Sequence, residues 1–248
     1  MQALETDGLQ LVVVMPVFNE GDTIQSTLLE ASEKIENVYD NVIFSVSEDG
    51  STDDTKSALT AMGSKMHNLE IHLGPRRKGY PRAAKDAILG INGKSDFILF
   101  MDSDGQYDPS DFGTLWRELR KTDADMVVGR RMNRAETPLR VFLSTGLRIM
   151  ERLLFHTKQQ DVTSAFRLMK IGAAKRITRR VKYSKYNFWL EFTAIASLEG
   201  YKIVEVPVIY RSRVGSSRVY SGSKIIKAAL QEMTAVLRIW RDFRLIGK

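Results

Sequence analysis

The chain has 248 residues, 43% of them hydrophobic, with 37 Lys+Arg against 30 Asp+Glu and no cysteine. That length holds one large domain, or a domain with an appendage, and supplies ample apolar material for a core. The lack of cysteine excludes a disulfide framework or thiolate site and fits a reducing cytoplasm.

Glu5 and Asp7 precede an apolar run ending at Pro16, so the basic opening of a signal peptide is missing. No apolar run approaches the ~20 residues of a spanning helix. The net charge of +7 is unevenly placed: residues 1–128 carry 12 Lys+Arg and 22 Asp+Glu, residues 129–248 carry 25 and 8. A basic half calls for an anionic partner such as a phospholipid surface or a diphosphate substrate. Nucleic acid is disfavoured, because no nucleic-acid-binding motif and no basic stretch interleaved with aromatics is present.

Residues 9–15 form a β-branched apolar run stopped by Pro16, which predicts a strand. Residues 23–35 place Ile24, Leu28, Ala31 and Ile35 at helical spacing, with Asp22 as the expected N-cap. Residues 41–46 and 69–73 read as strands. Between them Ser51-Thr52-Asp53-Asp54 opens a helix carrying Ala58, Leu59 and Met62. Residues 82–91 read as a helix and 96–101 as a strand. Pro109 sits in the first turn of a helix that carries Phe112, Leu115, Trp116 and Leu119. A short strand follows at 126–129. Strands alternating with helices predict an α/β fold on a parallel sheet, with ligands at the carboxyl ends of the strands. Three polar clusters fall there: Asn19-Glu20, Glu48-Asp49-Gly50-Ser51 and Asp102-Ser103-Asp104-Gly105-Gln106.

The pattern changes after Gly129. Residues 139–155 form an amphipathic helix with Leu139, Phe142, Leu143, Leu147, Met150 and Leu154 on one side, predicted to dock on its own domain. Residues 165–169 and 202–210 read as strands, with a helix at 188–198 between them. The last helix, 224–243, stacks Ile226, Leu230, Met233, Leu237 and Trp240 on one face and Lys224, Gln231, Arg238 and Arg241 on the other. Such a basic amphipathic helix either docks on its own domain or lies on an anionic membrane surface. His67, His72 and His156 are scattered and read as no ligand set.

The acidic cluster after residues 96–101 carries the most chemistry. Alternate residues of extended chain point the same way. Asp102, Asp104 and Gln106 would then converge on one hard cation, the oxygen-donor chemistry of Mg²⁺ or Mn²⁺. The competing reading is an Asp-rich turn that caps the helix at Asp108-Pro109-Ser110.

Six segments in one order resemble glycosyltransferase family 2 with a GT-A fold, and within it the dolichyl- or polyprenyl-phosphate mannose and glucose synthases. They are Val12 through Glu20 (VVVMPVFNE), Glu48 through Thr55 (EDGSTDDT), Asp102 through Gln106 (DSDGQ), Val127 through Arg131 (VVGRR), Asp161 through Arg167 (DVTSAFR), and Glu205-Val206-Pro207-Val208 followed by Arg211, Arg213, Gly215, Ser217 and Arg218. The likeness spans roughly residues 10–220 and makes a chance match a poor explanation. Glu48 stands where the family usually has aspartate, Ala165 replaces a usual glycine, and the loop from Arg213 to Arg218 is one residue short and ends in arginine. The two membrane-spanning segments of many relatives have no counterpart.

The resemblance implies a Rossmann-like, mixed, mostly parallel sheet flanked by helices over residues 1–220, followed by a basic amphipathic helix over 221–248. It implies a metal-dependent inverting hexosyltransferase. The donor would be a nucleotide diphosphate sugar (GDP-mannose or a UDP-hexose) and the acceptor a polyprenyl phosphate at the cytoplasmic membrane face, reached peripherally. Alternatives are a family member that glycosylates a sugar hydroxyl of a glycan or glycolipid, and a non-catalytic nucleotide-sugar-binding or scaffold protein. Pro16, Phe18, Asn19, Glu20, Glu48, Asp49, Asp102 and Arg131 would hold the nucleotide sugar, and Asp102, Asp104 and Gln106 the metal. Asp104, Arg213 and Arg218 would serve the departing diphosphate, and Asp161 would line the acceptor site. Helix capping by Asn19-Glu20, an Asp-Gly turn at Asp49, and Arg130 in place of Arg131 stay open. Glu191 is structural or acceptor-side, and Phe188-Trp189 and Tyr107 are core or acceptor wall.

Overall fold

Every residue of strand β1 (Leu11–Val17) is buried, so neither of its faces meets water. That continuous apolar run is what a central strand of a sheet covered on both sides requires. The computed structural model describes residues 6–132, 138–212 and 223–246. The further strands are β2 (Val42–Glu48), β3 (Leu69–Leu73), β4 (Phe97–Phe100), β5 (Met126–Arg131), β6 (Arg167–Lys170) and β7 (Ile203–Val208). They form one sheet in the order β3-β2-β1-β4-β6-β5-β7. All neighbours run parallel except β6, which is antiparallel to both β4 and β5. The edges carry the polar and imide-bearing strands, as they should: β3 exposes Glu70 and His72, and β7 contains Pro207.

The helices are α1 (Ile24–Glu36), α2 (Thr55–Gly63), α3 (Tyr80–Leu89), α4 (Phe112–Thr122), α5 (Pro138–Phe155), α6 (Ile171–Arg180), α7 (Phe188–Leu198) and α8 (Ser223–Ile246). α6 has no counterpart among the elements read from the sequence. α1 starts after Thr23 rather than at an Asp22 cap, and no side chain caps its first turn. Pro109 opens a 3-10 turn, and Asp108 accepts the Ser110 N–H at 3.0 Å. Ala165 fits without backbone strain, since it is not among the residues with positive φ.

The main core fills both faces of the sheet, with Phe44, Leu99, Phe100, Trp116, Phe166 and Trp189 fully or almost fully buried. Each such side chain contributes roughly 1.5–3 kcal/mol. A second apolar cluster joins α5, α7 and α8 through Phe155, Leu190, Ala194, Val236 and Ile239. α8 therefore packs on the rest of the chain through that face. No described helix is long and apolar enough to cross a membrane.

The reversed β6 shapes the ligand-facing edge of the sheet. Its first residue, Arg167, pairs with Phe100 at the end of β4 and Val128 near the end of β5. The segment just before it, 161–166, is thereby delivered to the same edge as the carboxyl ends of β1, β2, β4 and β5.

Candidate active site

Two loops interlock at the ends of β1 and β2. Asn19 sits at φ 50°, a conformation its short polar side chain tolerates. Its N–H donates to Ser51 Oγ (2.9 Å) and its Oδ1 accepts the Thr52 N–H (2.9 Å). The Glu20 N–H donates to Thr55 Oγ1 (2.8 Å). Glu48 is buried and accepts the Ser51 N–H, with Lys56 Nζ 3.9 Å from its other oxygen. Asp49 reaches the next loop instead: Oδ1 accepts the Lys78 N–H and Oδ2 the Gly79 N–H, both at 2.8 Å. Gly50 allows that approach. Its φ is +70°, and a Cβ there would stand 2.3 Å from the Arg76 carbonyl carbon.

The loop held by Asp49 brings Arg77 into a cleft of about 270 Å³, where its guanidinium lies 4.2 Å from the Phe18 ring centroid. Pro16, Phe18, Glu20, Asp49, Tyr80, Asp102, Ser103 and Asp104 share the lining. Ser103 Oγ donates to the Pro16 carbonyl at 3.0 Å, tying the acidic turn to β1. Asp102 Oδ1 accepts the Tyr80 hydroxyl at 2.9 Å. Burial, then the charge of Asp102, pushes the Tyr80 phenol well above its usual pKa, so it remains a neutral donor.

Gln106 donates its backbone N–H to Asp104 Oδ1 at 3.2 Å, but its side chain is engaged elsewhere. β4 ends at Phe100, and Gly105 at φ +71° bends the chain, so the alternation of extended backbone is lost before residue 106. The Gln106 amide instead accepts from Tyr210 Oη (2.9 Å) and donates to the Arg211 carbonyl (3.1 Å). It is not among the residues lining the cleft. Among the described residues no three His, Cys, Asp or Glu side chains converge on a metal position. The two cleft carboxylates are hard oxygen donors suited to Mg²⁺ or Mn²⁺. Such an ion fills the rest of its shell with water and substrate phosphate, so a two-residue donor set fits it.

A second cavity of about 230 Å³ lies by β5, lined by Arg130, Arg131, Ser144, Arg148, Gln160, Asp161 and Thr163. Arg131 Nε and Nη2 clamp Asp161 at 2.8 and 2.7 Å, and Nη2 also donates to Thr163 Oγ1 at 2.7 Å. The pair is nearly sealed, with side-chain exposures of 9% and 11%. Burial works against the Arg131 charge, yet the Asp161 carboxylate bound to it helps to keep its pKa well above the usual guanidinium value. Glu205 fixes the backbone beneath by accepting the N–H groups of Gln160 and Asp161. Tyr210 feels both cavities: Arg131 lies 5.3 Å from its ring centroid, and burial pushes its phenol pKa up with the charges of Asp104 and Asp102 adding to the rise.

Arg167 is a structural charge, fully buried and donating to the Ser164 and Val162 carbonyls; burial pushes its pKa down to about 10. Glu191 is structural too. Its oxygens accept three backbone N–H groups, from Lys182, Tyr183 and Ser184. Arg213 and Arg218 lie outside the described residues. Arg77, Tyr80 and Arg148 line the two cavities and were not singled out in the sequence; Arg76-Arg77-Lys78 between a strand and a helix was the available signal for the first.

The family model described as Glycosyl transferase family 2 matches residues 12–178. The chain belongs to glycosyltransferase family 2. Its described fold is the GT-A arrangement, and it is a glycosyltransferase. It is 27% identical to the dolichyl-phosphate beta-glucosyltransferase ALG5A of Trichomonas vaginalis, over 96% of this chain and 78% of that one. It is equally 27% identical to an uncharacterized glycosyltransferase of Mycobacterium tuberculosis, over 94% and 98%. Among solved structures it resembles glucosyl-3-phosphoglycerate synthase from Mycobacterium tuberculosis in complex with Mn²⁺, UDP-glucose and phosphoglyceric acid. That likeness has a TM-score of 0.67 and 17% identity, over 95% of this chain and 81% of the other, and speaks for the fold.

Proposed function

We propose that this glycosyltransferase moves a hexose from a nucleotide diphosphate sugar to a phosphate-bearing lipid acceptor at an anionic membrane surface. The observation that carries the reading is the pairing of an acidic cleft, with Asp102 and Asp104, and a basic cavity, with Arg130, Arg131 and Arg148, on one edge of the sheet, with Tyr210 feeling both. The nucleoside diphosphate occupies the first, between the Phe18 and Asp49 loops, with Arg77 facing its phosphates. Asp102 and Asp104 hold the divalent cation, which supplies charge neutralisation to the departing diphosphate.

The acceptor phosphate occupies the second cavity. A phosphomonoester has its second pKa near ~6 and needs no general base at neutral pH. Its oxygen forms the new bond to the anomeric carbon while the bond to the diphosphate oxygen breaks and that electron pair leaves with the nucleotide. Asp161 then works by orienting Arg131, not by taking a proton. Arg213 and Arg218 join the diphosphate side in this proposal. The division into a catalytic unit over 1–220 and a terminal helix over 221–248 belongs to the same reading.

The lipid acceptor is favoured by where α5 stands. Ser144 and Arg148 of α5 line the basic cavity, while Phe142 and Leu153 of the same helix are 75% and 71% exposed. α8, packed beside it, exposes Leu230 and Leu237, and Arg152, Arg238 and Arg241 supply positive charge near the apolar face. An apolar surface of this kind marks an interaction site, and basic flanks suit anionic lipid. Dolichyl phosphate, named for one relative, and phosphoglyceric acid, bound in one structural neighbour, both carry a phosphate group. The test pairs UDP- and GDP-sugars with polyprenyl phosphate, 3-phosphoglycerate and an unphosphorylated glycan, with Mn²⁺. Transfer to polyprenyl phosphate alone supports the proposal. Transfer only to 3-phosphoglycerate keeps the cavity but removes the lipid, and transfer only to the glycan overturns the acceptor assignment.

A further inference from the structure

Tyr80, Trp189 and Asp102 form a directed hydrogen-bond chain that reaches the acidic cleft from two other elements. The Trp189 indole N–H donates to the Tyr80 oxygen at 2.9 Å, and the Tyr80 hydroxyl donates to Asp102 Oδ1 at 2.9 Å. An indole N–H is a donor only. The phenol oxygen must therefore accept there, and its single proton has one acidic destination, Asp102. Chains of this kind polarise along their length, so each bond strengthens the next.

The two donors are rigidly set. Tyr80 is the first residue of α3, directly after Gly79, whose N–H is held by Asp49. Trp189 is 1% exposed in α7, edge-on to Phe100 at 4.6 Å between ring centroids, with the Arg167 guanidinium 4.6 Å from its ring centroid. Phe100 is the last residue of β4, two before Asp102. The carboxylate is thus anchored through its own strand and through a donor that cannot rotate away.

We infer that Tyr80 is a positioning residue that orients Asp102 for the divalent cation, with Trp189 fixing the direction of its hydroxyl. The inference rests on the proposal that Asp102 holds that cation. Outer groups that orient a metal-binding carboxylate are typically worth about 10–100-fold in metal affinity. They act on cation affinity more than on the fold, and this separates positioning from simple packing.

The test measures Mn²⁺ binding to the full-length protein by electron paramagnetic resonance, in the presence of UDP and, in a parallel series, GDP. Thermal unfolding is recorded for each variant. Tyr80→Phe keeps the ring and removes the donor; it should weaken Mn²⁺ binding about 10–100-fold. Trp189→Phe keeps the phenol beside Asp102 but frees its direction, and should weaken binding by a smaller factor. It also carries the test alone if Tyr80→Phe does not fold. Asp102→Asn should abolish binding. Loss in Asp102→Asn with wild-type affinity in folded Tyr80→Phe, or in Trp189→Phe where that variant stands alone, overturns the inference and leaves the cation site intact. Wild-type affinity in Asp102→Asn overturns the cation assignment itself, and the inference falls with it.

Discussion

Removing Arg131 alone should cost far more than removing it together with the charge of Asp161. Arg131→Met leaves a carboxylate that is 11% exposed without its bidentate partner, with the residue-131 N–H (3.2 Å) and Thr163 Oγ1 (3.2 Å) among the donors that remain. Breaking a buried pair this way typically costs about 3–5 kcal/mol, because the remaining charge stays desolvated. For a chain of this size each kcal/mol lowers Tm by about 2–4 °C, so the single variant should melt roughly 6–20 °C below wild type. Asp161→Asn added to Arg131→Met removes the stranded charge while keeping an oxygen for the Arg131 N–H. The double variant should recover stability, with a coupling of about 0.5–3 kcal/mol in a double-mutant cycle. Urea unfolding of the four proteins measures it. Additive losses would refute the view that Asp161 is the counterion of Arg131.

Other outcomes rest on single contacts. Asp104→Ala should lower metal-dependent transfer on the order of 10²–10³-fold with an unchanged melting curve; full activity would remove Asp104 from the site. Phe142→Asp and Leu153→Asp alter exposed side chains and should weaken co-sedimentation with phosphatidylglycerol vesicles; unchanged binding would mean that α5 does not face lipid. Gly74→Ala would place a Cβ 2.5 Å from the Glu48 carbonyl oxygen. It should destabilise by about 1–3 kcal/mol, read as a drop in the urea midpoint.

Glu151 is 0% exposed with neither carboxyl oxygen hydrogen-bonded among the described residues, and burial, with Glu232 adding to it against Arg167, raises its pKa well above the usual carboxylate range. The folded state therefore binds this proton more tightly than the unfolded one. Its contribution to stability is present below the unfolded value near ~4.3 and declines as pH rises toward the folded pKa. Glu151→Gln should flatten the fall of Tm between mildly acidic and alkaline pH; identical pH profiles for the two proteins would contradict this.

The alternation of strands and helices was legible because each apolar run carries its own period, as in residues 69–73 and 188–198, where expectation and structure coincide. α6 was missed because its apolar positions, Ala173, Ala174 and Ile177, are small or few and no side chain caps its start. The reversal of β6 has no local signature: Arg-Leu-Met-Lys reads the same in either direction. The acidic turn was visible as a motif, yet the fate of Gln106 was set by the bend at Gly105 and by Tyr210 and Arg211, more than 100 positions away. Tyr80 was invisible for the same reason, since its partners lie 22 and 109 positions off. Spacing reveals which residues share an edge of the sheet, but not which of them have already spent their hydrogen bonds on one another.

The proposed reaction requires Asp102 and Asp104 to grip a divalent cation beneath a nucleoside diphosphate. Crystals grown with Mn²⁺ and UDP or GDP, mapped at the manganese absorption edge, test it most directly. The expected result is an anomalous peak bonded to carboxylate oxygens of this pair and to diphosphate oxygens, in the cleft beside Phe18 and Arg77. A nucleotide bound there with no manganese on either aspartate, or manganese bound elsewhere, would contradict it.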